Sequence, residues 1–153
     1  MKSIRELYRI GTGPSSSHTM APRRAAEIFQ HRNADCKNFR VTLYGSLAAT
    51  GKGHLTDVAI LDTLKPHGEE ELGWESTTFL PFHPNGMRFE ALDDNGNIID
   101  DWTVYSVGGG ALAEENSLPI ENADVYPDKK LTDILMWFRD NGRPFWEYVE
   151  LHE

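Results

Sequence analysis

Between residues 87 and 107 the chain carries two alternating runs joined by a tight turn, and this pair constrains the fold more than any other feature. Met87, Phe89 and Ala91 alternate with Arg88, Glu90 and Leu92, Asp93-Asp94-Asn95-Gly96 sets a glycine where a turn favours positive φ, and Ile98 to Val107 alternates again. An antiparallel hairpin follows. Phe39, Val41, Leu43 and Gly45 alternate with Arg40, Thr42, Tyr44 and Ser46, which predicts a further half-buried strand. Helical spacing appears at Ala25, Ile28 and Phe29 within 23–31, and at Leu55, Val58, Ala59, Leu61 and Leu64 up to Pro66. It recurs at Leu131, Ile134, Leu135 and Phe138 before Asn141-Gly142. After Pro144, a last stretch presents Phe145, Trp146 and Val149 as its apolar face. Glu69-Glu70-Glu71 reads as an acidic solvated loop, Thr77 to Leu80 as a short strand, and Gly108-Gly109-Gly110 as a break. Strands with a hairpin, interspersed with helices, favour an α+β fold, a single layer of mostly antiparallel sheet packed with helices, over a doubly wound parallel sheet.

A chain of 153 residues fits one domain, 1–153, and shows no internal repeat. No apolar run reaches the roughly 18 to 20 residues of a spanning helix, and the opening MKSIRELYRIGTG lacks the apolar core of a signal peptide. A cytoplasmic protein with no membrane partner is expected. The single cysteine, Cys36, excludes an intrachain disulfide, a zinc ribbon or an iron–sulfur cluster held by this chain alone. The net charge of −9 argues against a nucleic-acid partner. That average hides an asymmetry: residues 1–54 hold nine Lys or Arg against three Asp or Glu, net +6, and residues 55–153 hold six against twenty-one, net −15. The basic third is expected to face an anionic ligand or partner, or else helix solvation has segregated the charges.

Two loops carry the residue types that chemistry needs. Gly13-Pro14-Ser15-Ser16-Ser17-His18-Thr19 and Gly51-Lys52-Gly53-His54 both lead into predicted helix N-termini, where free N–H groups favour a carboxylate or phosphate. The plainer readings are capping by the serines and an ordinary turn at Gly51–His54. His18 and His54 each sit in such a loop and can take or give a proton near neutral pH, or merely bond their own loop. A nucleotide-binding P-loop is excluded by pattern, and no Gly-x-Ser-x-Gly element supports a serine hydrolase. The six histidines, 18, 31, 54, 67, 83 and 152, form no HExxH or Cys/His ligand set, so no metal site is expected in this chain. His83-Pro84-Asn85-Gly86 reads as a turn, and Cys36 has no evident base beside it.

Four segments in order carry a family resemblance: Gly13-Pro14-Ser15-Ser16-Ser17-His18-Thr19-Met20, residues 45–57 (GSLAATGKGHLTD), His83-Pro84-Asn85-Gly86-Met87-Arg88-Phe89, and Ser106-Val107-Gly108-Gly109-Gly110. Together they resemble the β domain of the bacterial iron–sulfur L-serine dehydratases over nearly the whole chain. One departure is Ala21-Pro22, where that family has Gly-Pro. The resemblance implies a fold similar to the allosteric substrate-binding domain of phosphoglycerate dehydrogenases. It also implies elimination of water from L-serine to give pyruvate and ammonia at a [4Fe–4S] cluster. The cluster's cysteines belong to an α domain or α subunit, expected as the partner, and the assembled enzyme is expected to be a homodimer. The isolated domain, whose last helix ends at His152-Glu153 without a cap, is expected to be inactive. By the same resemblance Ser15, Ser16, Ser17 and Thr19 bind the substrate, with Lys52 adding positive charge. His54 and His18 are then the catalytic candidates, His54 first. The alternative is a regulatory amino-acid-binding domain with no chemical role.

Overall fold

Gly96 takes φ +81° and closes the turn between β3 (Gly86–Leu92) and β4 (Ile98–Gly108), which pair antiparallel with Phe89 opposite Trp102. In this computed structural model, which describes Met1, residues 3–116 and residues 124–153, the hairpin lies where its alternation predicts. The Asp93 carboxylate accepts the N–H groups of Asn95 and Asn97 and the Asn97 side chain. The Asn97 side chain, then the backbone donors, hold its carboxyl below the usual range. On its other edge β3 pairs antiparallel with β1 (Asn38–Tyr44), so the predicted strand lies in the interior of the sheet.

The full order is β2-β1-β3-β4-β5. Two of these strands depart from the expectation. β2 (Glu69–Glu75) occupies the expected acidic loop and runs parallel to β1, with Glu71 opposite Arg40. That arginine bonds Glu71 at 2.9 Å and also faces Glu90, so cross-strand pairing offsets the charge that makes the run look solvated. β5 (Ala111–Ala113) follows the glycine break, which is a tight turn back onto β4. Thr77–Leu80 forms no strand. The period-two reading also overran at Gly45: there the chain enters a short helix, α2 (Gly45–Thr50), with Gly45 at φ +51°.

Alternation decides which face the helices cover. Phe39, Val41, Leu43, Phe89, Ala91 and Val104 are buried on one face, against Ala25, Ala26 and Phe29 of α1 (Ala21–Arg32) and Ile60 and Leu64 of α3 (Thr56–Leu64). α1 and α3 pack on each other above the sheet. The other face carries a row of alternating charge in which Arg40 and Arg88 both contact the buried carboxylate of Glu90.

The chain divides into two compact units, Gly11–Leu118, which holds the sheet, and Met1–Ile10 with Pro119–Glu153. In the second, α4 (Leu131–Asn141) ends at Gly142 with φ +61°, and α5 (Phe145–His152) follows. The face of α5 differs from the expected one. Phe145 and Trp146 are 56% and 62% exposed, and Tyr148 turns inward to a cluster with Tyr126 and Ile134. Tyr148 donates to Asp128, and Tyr126 donates to Glu153, which also accepts from Ser3 and the Ile4 N–H. Burial, then that bond to Glu153, push the Tyr126 hydroxyl up to about 12. Among the described residues no helix is long and apolar enough to cross a membrane.

Phe89 is fully buried and contacts the rings of Phe29 and Trp102. Phe89→Ala is expected to cost about 3–5 kcal/mol in urea unfolding, against about 0.5 kcal/mol or less for Ile99→Ala, 60% exposed on the same hairpin.

Candidate functional site

The serine run enters α1 through a wide turn over Ser16–Met20. Ser15 caps it, its hydroxyl accepting the His18 N–H at 3.2 Å, while the Ser15 N–H donates back to Thr19 Oγ1 at 3.2 Å. The capping reading of the serines therefore holds for Ser15. Ser17 and Ser46 place hydroxyls on the two nitrogens of His18, at 2.9 Å from Nδ1 and 3.5 Å from Nε2. Ser16 is exposed.

Gly51–His54 forms a single 3-10 turn that ends at Leu55, the one described non-glycine residue with positive φ, 57°. Such a backbone costs a leucine about 1–2 kcal/mol and needs support from its surroundings. That support is a reciprocal latch. Thr19 Oγ1 donates to the His54 carbonyl at 2.7 Å, and Thr56 Oγ1 donates to the His18 carbonyl. Both threonines are buried, at 3% and 0% exposure.

The latch brings the two predicted histidines together. Their ring centroids lie 4.9 Å apart with the planes tilted by 37°. His54 Nδ1 lies 3.0 Å from the Thr50 carbonyl, which can only accept, so Nδ1 carries hydrogen and Nε2 of the neutral ring holds the free lone pair. For His18, burial first and the charge of His54 second push its pKa below the ordinary imidazole value, against a backbone hydrogen bond at Ser46 that raises it. Lys52 turns elsewhere: its Nζ lies over the Trp74 ring, 5.4 Å from the centroid. It is a charge at the rim, not a group aimed between the rings.

The other two segments singled out in the sequence lead to the same end of the sheet. The Pro84 carbonyl accepts the Ser46 N–H at 3.0 Å, and a Cβ on Gly45 would stand 2.5 Å from that oxygen, so only glycine fits there. His83 Nδ1 accepts the Asn85 N–H, which makes His83 part of its own turn as its composition predicts. Asn85 donates to the Ser106 carbonyl at 3.3 Å, and the turn over Ser16–Met20 packs against β4. Thr56, Ser46 and Asn85 are the members that reasoning from single loops missed. Each acts through a contact distant in sequence, and only the presence of Ser46 and Asn85 within the four ordered segments marked them.

Beside Thr19 and Leu55 lies a hollow of about 60 Å³, also lined by Arg23, Val58 and Asp62. Neither His18 nor His54 lines this hollow. Cys36 is buried, with its Sγ toward the carbonyls of Asn38 and Leu92, and no group of three or more His, Cys, Asp or Glu able to hold a metal occurs among the described residues.

The serine dehydratase beta chain family model matches residues 3–71 and 62–117, a span that contains both histidine turns and the latch between them. The chain belongs to that family. It is 31% identical over 186 residues to an L-serine dehydratase of Haemophilus influenzae, covering 93% of this chain and 41% of the relative. Against an L-serine dehydratase of Streptomyces coelicolor the figures are 31% over 186 residues, 92% and 41%. For L-serine dehydratase 2 of Escherichia coli they are 32% over 188 residues, 93% and 41%. The chain thus spans about two fifths of the length of these relatives. The latch accounts for the meeting of the first two segments in space, and the bonds of Pro84 and Asn85 for that of the other two.

Thr56→Val keeps the shape and leaves the His18 carbonyl without its donor. It is expected to lower stability by about 1–3 kcal/mol in chemical denaturation, with the loss centred on both histidine turns in hydrogen exchange. The depressed His18 value sets a pH effect of definite sign. The folded state resists protonating this ring, so stability is intact above the unfolded imidazole value and declines as pH falls through it toward the folded value. His18→Asn is expected to flatten that part of the stability-against-pH curve.

Proposed function

We propose that this chain supplies the substrate-side loops of an L-serine dehydratase, in which L-serine is deaminated to pyruvate and ammonia. The carrying observation is the pair of imidazoles 4.9 Å apart, held between a hydroxyl-rich turn and a glycine turn by reciprocal bonds. On this reading Ser16 and Ser17, with their hydroxyls and N–H groups at the entrance to the turn, bind the substrate carboxylate, and Lys52 adds positive charge. His54 is the base. Its Nε2 lone pair takes the proton from Cα, the C–H electrons form the Cα–Cβ double bond, and the hydroxyl leaves Cβ with its electron pair, taking up the proton from the imidazolium to depart as water. The resulting aminoacrylate tautomerises to an imine, and water releases ammonia and leaves pyruvate. His18, flanked by two hydroxyls and held neutral, orients the substrate and keeps a second positive charge away from His54.

The [4Fe–4S] cluster implied by the resemblance does not fit the residues of this chain, whose one cysteine is buried and turned toward two carbonyls. Cluster ligation therefore falls to a separate α domain or α subunit, which would also cover the open side of the histidine pair. A homodimeric, cytoplasmic enzyme completes the proposal.

The test is made in the enzyme assembled from this chain and its α domain. His54→Asn is expected to lower kcat by about 10²- to 10⁴-fold with a small change in KM, while Ser17→Ala raises KM. Retained turnover in His54→Asn, with only activation by serine altered, would overturn the catalytic reading in favour of a regulatory amino-acid site.

A further inference from the structure

Three buried polar atoms lack a hydrogen-bond partner among the described residues, and two of them, Asn85 Oδ1 and Ser106 Oγ, are neighbours. Ser106 is fully buried, and alternation along β4 puts it on the helix-side face with Val104, the face on which the Ser16–Met20 turn packs. An apolar pair would fill such a place without unpaired groups, so its polarity calls for an explanation. The bonds that Asn85 does make supply one. Its Nδ2 donates to the Ser106 carbonyl at 3.3 Å, and its own carbonyl accepts the Ser106 N–H at 3.0 Å. These two bonds clamp the 83–85 loop to the end of β4. One residue earlier, the Pro84 carbonyl takes the Ser46 N–H at 3.0 Å, and Ser46 Oγ stands 3.5 Å from His18 Nε2. The run from β4 to the Ser46 backbone is made of main-chain carbonyls and N–H groups, with Gly45 excluding any side chain between, and the Ser46 hydroxyl extends it to the imidazole.

We propose that Asn85 is a positioning residue for His18, acting through the Pro84 carbonyl and Ser46 to hold the hydroxyl on the imidazole Nε2. The proposal rests on the functional reading above for its purpose, and its geometry stands without it. Ser46 and Ser17 contribute the hydroxyls against His18, and His54 is the titratable ring beside it.

The experiment is an NMR titration of His18 in the full, isotopically labelled chain, arranged as a double-mutant cycle. Asn85→Leu matches the volume of the amide and abolishes its donor. It is expected to displace the His18 midpoint by about half a pH unit, and Ser46→Ala is expected to displace it as well. In the Ser46→Ala background the Asn85 substitution should add almost nothing, because both act along one route. An unmoved midpoint in Asn85→Leu, or a shift that persists undiminished without the Ser46 hydroxyl, would overturn the proposal. If Asn85→Leu does not fold, Asn85→Ser, too short to reach the Ser106 carbonyl, takes its place in the same cycle with the same expected outcome. Failure of the functional reading shows separately, as unchanged turnover of the His54→Asn enzyme with this coupling intact.

Discussion

The reciprocal pair of threonine bonds, from Thr19 to the His54 carbonyl and from Thr56 to the His18 carbonyl, is the constraint on which the site depends. Neither histidine turn is part of a long regular element, and neither could hold its ring in place alone. Each carbonyl that is tied belongs to the histidine itself, so the latch fixes the backbone from which the ring projects, not a distant neighbour. Burial strengthens both bonds, because a threonine hydroxyl with no access to water has only the carbonyl to donate to. The positive φ of Leu55 follows from the same geometry. The chain must reverse between a tied carbonyl at residue 54 and a helix that begins with the tying hydroxyl at residue 56.

The framework that carries the latch was largely legible in the amino-acid order. Strand β1, the hairpin and helices α1, α3 and α4 show their periods plainly because each buries one face against the rest of its unit, whereas α5 turns Tyr148 inward and not Phe145 and Trp146. The misread stretches have a common physical cause. Glu69-Glu70-Glu71 has the composition of a solvated loop, and only the arginine at position 40 on the neighbouring strand makes a parallel edge strand of it. Gly45 continues an alternating pattern, and only the Pro84 carbonyl above it shows why the strand must stop there. At the site, the two histidines were visible as loop residues suited to anions, but their pairing was not, since 36 positions of chain separate them. Thr19 stood out only as one more hydroxyl beside the serines, and nothing in the order of residues showed that it and Thr56 tie the two histidine carbonyls.

The charge asymmetry takes a different meaning once its partners are known. Arg32 bonds Asp100 at 2.7 Å, and Arg40 reaches Glu71 and Glu90, so basic residues of the first third are in part matched by acids of the later two thirds. Lys52 rests over Trp74. The basic third is therefore not one uniform face toward an anion. N–H groups at the entrance to the Ser16–Met20 turn act instead at short range and in a fixed direction.

Direction matters more than net charge for a pair of imidazoles at 4.9 Å. Two protonated rings at that separation repel, and partial burial removes much of the water that would screen them. The surroundings break the symmetry. His54 has one nitrogen committed to the Thr50 carbonyl and the other free, whereas His18 meets a hydroxyl at each nitrogen and is displaced toward neutrality. A hydroxyl can donate to one nitrogen and accept from the other, so two of them satisfy a neutral ring completely and require no charge on it. The arrangement thus gives the two imidazoles different hydrogen-bonding surroundings at the ends of two short turns. On the proposed reading, that difference makes one of them a base and the other its neutral support.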